Sequence, residues 1–285
     1  MVEGTLSYKT TLPAHIRSGD SLARRHWGQL AALAPVFVTT CFTGHAEILR
    51  ILLICLVSAI AFGFLAAKLF RKKESLWNGE TVLAATLFSL LMPSRCPSEV
   101  VILGVFMAVF VGRELFGGTG AHLLHPLLLA RVFLQLCFPK AMSEPMLLAG
   151  EGSVWTLLGV GLGGIIFLKQ RQGYWETPAL FMAACFICEA LFGGREMPFA
   201  FFGGVLLTAF FLLADPVALP LTRQGTALFV LGAALLSSRL SPEGFSIRSA
   251  GYAILLMNLL TPWLDVWLRP VSYKTKHHLK ATYPS

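Results

Sequence analysis

Apolar stretches recur along almost the whole chain, and they decide what it can fold into. Hydrophobic residues make up 55% of its 285 residues and charged residues only 13%, whereas soluble domains are about one quarter charged. Such a chain cannot cover itself with polar groups in water. Since stretches approaching about 20 apolar residues are typical of membrane-spanning helices, the sequence predicts an all-α integral membrane protein.

The boundaries of these stretches predict about ten transmembrane helices, the shorter of which suit a bundle with broken helices. They cover residues 27–44, 49–70, 80–92, 99–115, 123–138, 154–170, 176–193, 198–214, 224–238 and 248–267. No polar block is long enough to form a second domain. We therefore predict a cytoplasmic N-terminal segment (residues 1–26), one transmembrane domain (27–268) and a basic cytoplasmic tail (269–285). Residues 1–26 lack the apolar region of a signal peptide, so the first span is expected to direct insertion.

The net charge of +8 is explained by membrane topology. In the ten-span arrangement with the N-terminus in the cytoplasm, all but seven of the 23 Lys and Arg residues fall on the cytoplasmic side. The seven are Arg50, Arg95, Arg131, Lys140, Arg195, Arg239 and Arg248. Positive residues accumulate on the cytoplasmic side of membrane proteins, so both termini are expected there. No Lys/Arg stripe is interleaved with aromatic residues, so nucleic acid is not an expected partner.

A glycine-rich interruption separates the fourth and fifth predicted spans. Gly117, Gly118 and Gly120 are followed by His122 and His125. Glycines here allow either a close crossing of two backbones or amides that point at a ligand. Two histidines without a third ligand are a weak metal signal, so helix capping or contact with a cofactor is the better interpretation. Five spans on each side of a midpoint would suit an inverted repeat with broken helices.

Carboxyl groups within or at the ends of apolar stretches are further candidates. Asp215 precedes Pro216 at the end of the eighth span. It either caps the following turn or faces a cofactor or ion path, because ionisable groups at membrane depth are costly and tend to be functional. Glu114, Glu189 and Asp265 are weaker candidates of the same kind.

The six cysteines lie mainly inside apolar stretches, so a disulfide framework is not expected. They are Cys41, Cys55, Cys96, Cys137, Cys185 and Cys188. The last two form a C-x-x-C pattern. In an apolar helix this pattern indicates two small apolar side chains, and an iron–sulfur or redox role would need further ligands from this chain or a neighbour.

Six segments together resemble the NqrB subunit of the sodium-translocating NADH:quinone reductase (Nqr) and the RnfD subunit of the related Rnf electron-transport complex. The segments are PAHIRSGDS from Pro13, WNGETVLAATLFSLLMP (Trp77–Pro93), ELFGGTG…HPLLLARVFLQLCFP (Glu114–Pro139), GEGSVWTLLGVGLGG (Gly150–Gly164), LLADPVALPLTRQG (Leu212–Gly225) and PEGFSIRSAGYAILLMNLLTPWLD (Pro242–Asp265). Their order is collinear over most of the chain. In the third segment, His122 and His125 replace two asparagines of the family pattern.

The resemblance implies a membrane core that binds flavin (FMN or riboflavin) and passes electrons between partner subunits. The glycine-rich interruption and Asp215 then become the candidate flavin region, where free amides of broken helices meet the polar edge of the cofactor. Family members carry FMN on a threonine between spans five and six, but Lys140–Gly150 contains no threonine. Thr156 fits the attachment pattern only superficially. A flavin in this chain is therefore expected to be non-covalent.

The leading hypothesis from the resemblance is a subunit of an Nqr- or Rnf-type complex in the bacterial inner membrane. It would couple electron transfer to translocation of Na⁺ or H⁺, beside membrane and peripheral partner subunits. Two alternatives remain open because the flavin loop and both asparagines are missing. One is a transporter or channel without redox chemistry, and the other is a structural subunit of such a complex.

Overall fold

The computed structural model describes residues 22–42, 47–70, 79–118, 122–143, 154–170, 175–192, 199–213, 218–241 and 245–268. Every regular element in these residues is helical, so the predicted all-α class is confirmed. The α-helices are α1 (Leu22–Phe42), α2 (Glu47–Leu69), α3 (Glu80–Leu91), α4 (Ser98–Phe106), α5 (Pro126–Cys137), α6 (Pro139–Met142), α7 (Val154–Lys169), α8 (Glu176–Phe192), α9 (Phe199–Leu207), α10 (Arg223–Arg239) and α11 (Ile247–Trp267). Apart from the short α6, each helix lies within or largely overlaps one predicted span.

The helix ends follow local chemistry. Helix α3 stops at Leu91, two residues before Pro93, because proline cannot continue the hydrogen-bond ladder. Helix α10 begins after Thr222, whose hydroxyl accepts the Gly225 N–H at 3.0 Å. Helix α11 begins with a reciprocal cap between Ser246 and Ser249. These caps satisfy amides that the first helical turn leaves without partners.

Helix α1 begins earlier than the predicted span. It starts at Leu22, inside the segment 1–26, and the side chains of Arg24 and Arg25 are exposed. The polar residues before the apolar stretch therefore extend the helix rather than form a separate irregular segment, since Leu, Ala and Arg favour helix.

Two predicted spans are not regular α-helices throughout. The span predicted at 99–115 is α-helical only to Phe106 and continues as a π-helical turn over Met107–Val111, closed by the Gly112 N–H donating to the Met107 carbonyl at 2.8 Å. The span predicted at 198–214 ends in a second π-helical turn, Thr208–Leu212. Such π-helical turns are rare in proteins overall, and those that occur are often found at functional sites. The first one directly precedes the turn that contains Gly117 and Gly118.

Helix length distinguishes α2 from most of the bundle. Among the described residues, Glu47–Leu69 is the one helix that is both long and apolar enough to cross a membrane by length and composition. The other strongly apolar helices are shorter and cover Glu80–Leu90, Pro126–Cys137, Val154–Lys169 and Phe201–Leu212.

Helices α1 and α7 form a broad, close contact through glycines. A Cβ atom at Gly163 would collide with the carbonyl oxygen of Ala32, and one at Gly159 would collide with the hydroxyl of Thr39. A Cβ at Gly164 would approach the ring of Phe210 to 2.7 Å. Gly163 and Gly164 therefore lie at close helix contacts, which match the small-residue contacts of membrane helices.

We expect Gly163→Ala to destabilise the protein by about 1–3 kcal/mol, because the methyl group must displace the α1 backbone. Thermal unfolding in detergent would measure the loss. The matched control is Gly161→Ala in the same helix, where a Cβ would meet nothing within 4 Å. Equal unfolding temperatures for both variants would contradict the close α1–α7 contact.

Candidate functional site

The glycine-rich interruption, here called the first break (residues 112–125), turns back sharply at two glycines. Gly117 and Gly118 have φ angles of 111° and 100°, which residues with a Cβ rarely adopt. Their N–H groups donate to the carbonyls of Glu114 and Arg113, both at 3.1 Å. The sequence predicts amides free to meet a flavin. These two are instead used to close the turn.

A buried ion cluster fixes the start of the first break to the start of α3. The Nε of Arg113 donates to Oε1 of Glu114 at 2.9 Å, and its Nη1 lies 3.7 Å from Oε1 of Glu80. Nη1 also lies 3.5 Å from the Thr81 hydroxyl. Arg113 and Glu114 are both buried. Removing one member of such a cluster would leave a buried charge without compensation, which is strongly destabilising.

The far end of the first break contacts an amide side chain on α11. In the orientation that satisfies its neighbours, Asn258 accepts the N–H of His125 at 3.1 Å. Its amide nitrogen donates to the carbonyls of Ala218 at 3.2 Å and Ile254 at 3.3 Å. Asn258 is 0% exposed. One side chain therefore joins the first break to residues 213–222, here called the second break.

Two further residues of α11 bind the second break. The Leu221 N–H donates to Oδ1 of Asp265 at 2.8 Å. The hydroxyl of Thr261 lies 3.5 Å from the Ala218 carbonyl. Positions 258, 261 and 265 share one face of the helix. Asp265, a candidate for an ion path from sequence, is therefore engaged with backbone in the described structure.

The two histidines of the first break are both buried. His125 occupies the N-cap position of α5 but makes no side-chain cap hydrogen bond, so the predicted capping role is wrong for His125. His125 donates its backbone N–H to Asn258 at the junction. The described residues contain no group of three His, Cys, Asp or Glu side chains suited to a metal ion.

The remaining predicted site residues are dispersed. Gly120 and Asp215 lie outside the described residues. Thr156 lies in the first turn of α7 and is 4% exposed, which does not fit covalent flavin attachment, because the reaction needs an accessible hydroxyl. Cys185, Cys188 and Glu189 lie in the second half of α8.

Arginines bind the opposite end of α3. Arg131 of α5 is buried and donates to the Leu91 carbonyl. Arg50 of α2 donates to the carbonyls of Cys96 at 3.4 Å and Ser94 at 3.5 Å. Cations complement the negative end of a helix dipole. Burial raises the pKa of the Cys96 thiol to about 11, although Arg131 and Arg50 lower it, so this thiol is protonated at neutral pH.

Two cavities lie away from the first break. One, of about 360 Å³, is an apolar groove between α7, α8 and α9 that includes Leu158, Met182 and Phe202. The other, of about 160 Å³, lies between the N-terminal ends of α8 and α10 beside the second break and includes Thr177, Leu221 and Arg223. The second is smaller than the roughly 300 Å³ at which ligand pockets begin.

Sequence reasoning missed the residues that organise this junction. It assigns no role to Asn258, and it places Arg113 and Glu80 simply at the edges of spans. A usable signal existed for Asn258. It is a polar residue with two donors and an acceptor inside the apolar stretch AILLMNLL, and such a group must find partners when it is buried.

These observations define an all-helical protein in which polar side chains of α11 join the first break to the second. The chain belongs to the NQR2, RnfD, RnfE family, whose model matches residues 9–149 and 144–274. A membrane location follows from this membership.

Relatives of comparable length are similar over nearly the whole chain. The D subunit of the proton-translocating ferredoxin:NAD⁺ oxidoreductase complex of Clostridium ljungdahlii is 24% identical, over 92% of this chain and 95% of the relative. The D subunit of the Na⁺-translocating ferredoxin:NAD⁺ oxidoreductase complex of Acetobacterium woodii is 24% identical, over 94% and 96%. The D subunit of an ion-translocating oxidoreductase complex of Methanosarcina acetivorans is 25% identical, over 93% and 96%.

We expect Asn258→Leu to loosen both breaks, because it leaves the His125 N–H and the Ala218 carbonyl buried without this partner. Each unsatisfied group costs about 1–3 kcal/mol. Thermal unfolding in detergent and amide hydrogen exchange at His125 and Leu221 would measure the change. Leu259→Ala, on the exposed face of the same helix, is the control. Unchanged exchange in Asn258→Leu would show that the amide does not join the breaks.

Proposed function

We propose that this chain is a membrane subunit of a complex that couples electron transfer to translocation of Na⁺ or H⁺. One observation carries the proposal: the family match covers nearly the whole chain, and it includes both breaks and the α11 residues that join them. The relatives are named as subunits of such complexes, one for protons and another for Na⁺, at the same identity of 24%. The proposal therefore includes both H⁺ and Na⁺.

The breaks provide a physical basis for an ion path in this subunit. Interrupted helices expose carbonyls and amides that a regular helix uses internally, and these groups can replace part of the hydration shell of an ion. Here the second break is held by Asn258, Thr261 and Asp265. Asp215 belongs to the same break by sequence. We propose that this face of α11 lies beside the ion path.

We further propose a ten-span arrangement as an inverted repeat of α1–α5 and α7–α11. The helix contacts support it, because they follow the same order in both halves. In each half the first helix packs against the third, the second against the third and fourth, and the fourth against the fifth. The Lys and Arg distribution supports cytoplasmic termini in a bacterial inner membrane. A fluorescent protein fused to the C-terminus, which is fluorescent when cytoplasmic, would report the orientation.

The function is tested by purifying the complex with this chain and reconstituting it in vesicles. With ferredoxin and NAD⁺ as substrates, we expect ion uptake that depends on electron transfer and is lost when this chain is left out. A protonophore should abolish the gradient if the ion is H⁺ and leave Na⁺ uptake intact if the ion is Na⁺.

Two results would contradict the proposal. Uptake by the isolated chain without an electron donor would identify a transporter or channel without redox chemistry. If a complex that lacks the chain still couples electron transfer to ion uptake, the chain has only a structural role. Co-purification of the partner subunits is the control for assembly in both experiments.

We propose that a flavin held by this chain is non-covalent. The missing threonine in Lys140–Gly150 and the burial of Thr156 support this proposal. We expect no flavin fluorescence of the purified chain in a denaturing gel, even with a flavin transferase co-expressed. Flavin released by acid precipitation would support a non-covalent site. A fluorescent band that disappears in Thr156→Val would contradict the proposal and identify Thr156 as the attachment residue.

A further inference from the structure

A buried carboxyl group lies at one end of the α8–α10 pair. Glu189, in the last turn of α8, is 7% exposed. Its Oε2 has no hydrogen-bond partner in the described part of the chain. The Ser238 hydroxyl, in the last turn of α10, is also buried and has no partner among the described residues. Buried polar groups normally have partners, so both atoms need an explanation.

Helices α8 and α10 pack closely, and their N-terminal ends lie together. At their N-terminal ends, Thr177 and Arg223 line one cavity, and near their C-terminal ends the Cys185 thiol lies beside the Ser237 hydroxyl. Glu189 follows Cys185 by one turn on the same face and interacts with it electrostatically. The carboxyl group therefore lies where both helices end.

The Glu189 carboxyl group lies in the last turn of α8, beside the C-terminal end of α10. A helix C-terminus carries about half a negative elementary charge, which a cation complements. The other titratable groups in the second half of α8 are the Cys185 and Cys188 thiols, and the described part of α9 contributes none. Arg239 of α10 has an exposed side chain, and Arg195, Glu196 and Glu243 lie outside the described residues. A bound cation would complement the negative ends of the two helices.

We propose that Glu189, with the last turns of α8 and α10, forms a binding site for a monovalent cation, either H⁺ or Na⁺. The Ser238 hydroxyl, buried in the last turn of α10, is a candidate for a further oxygen ligand. A proton adds to Oε2 from water and returns to water, with no electron gained or lost. Sodium, in contrast, binds the carboxylate and hydroxyl oxygens. The role of the site in translocation rests on the proposed function, but cation binding itself does not.

Infrared difference spectroscopy of the purified complex tests binding without turnover. On a pH step we expect wild type to show a carboxylic-acid C=O band that is lost in Glu189→Gln. The matched control is Glu176→Gln, an exposed carboxyl group on the same helix, which should retain the band. A Na⁺ step at constant pH that removes the band identifies Na⁺ as a ligand, and a band that responds only to pH identifies H⁺.

An unchanged difference spectrum in Glu189→Gln overturns the proposal. If that variant does not assemble, Glu189→Asp should keep the band with a shifted titration midpoint, and an unshifted midpoint overturns the proposal instead. Ser238→Ala should also shift the titration midpoint. An unchanged midpoint would show that the Ser238 hydroxyl does not bind the cation.

A vesicle experiment separates the site from the proposed function. Glu189→Gln should lose ion uptake while electron transfer from ferredoxin to NAD⁺ continues. Retained uptake excludes Glu189 from the ion path. If wild type itself moves no ion, the proposed function fails, and the infrared experiment still decides whether Glu189 binds a cation.

Discussion

The junction of this bundle depends on one amide in an apolar helix. Asn258 carries both a donor and an acceptor, and it uses them on two segments that are far apart in sequence. A backbone that leaves the helical ladder in a low-dielectric environment must find other partners. Asn258 therefore helps to fix the relative position of the two breaks, while Thr261 and Asp265 hold the second break on the same helix.

The C-terminal ends of helices in this protein differ in the charged side chains that lie beside them. At the C-terminal end of α3, Arg131 and Arg50 bind carbonyls and add positive charge. At the C-terminal ends of α8 and α10, the buried side chain is the carboxyl group of Glu189. The first arrangement compensates the helix dipole with residues of the chain itself. The second leaves a carboxyl group at the helix ends, where we propose that a cation binds.

The sequence predicted the helices because apolar length, Pro93 and the glycines act locally. It did not predict the π-helical turns at Met107–Val111 and Thr208–Leu212, since an inserted residue in a uniformly apolar helix leaves no change in composition. The roles of Asn258 and Arg113 were not predicted either, because their hydrogen-bond partners are distant in sequence and are brought together only by packing. The glycine turn was predicted, but the direction of its amides depends on backbone dihedrals that composition does not specify.

The shortness of α3 has an electrical consequence. Its 12 residues span about 18 Å at 1.5 Å per residue, against a hydrocarbon thickness of about 30 Å. Charged groups lie at both ends, with Glu80 and Arg113 at one and Arg131 at the other. In the topology proposed here, polar surroundings thus reach toward the helix from both sides, and the membrane voltage falls over a shorter distance. In that topology, a charge crossing the membrane beside α3 would experience a field stronger than the average across the bilayer.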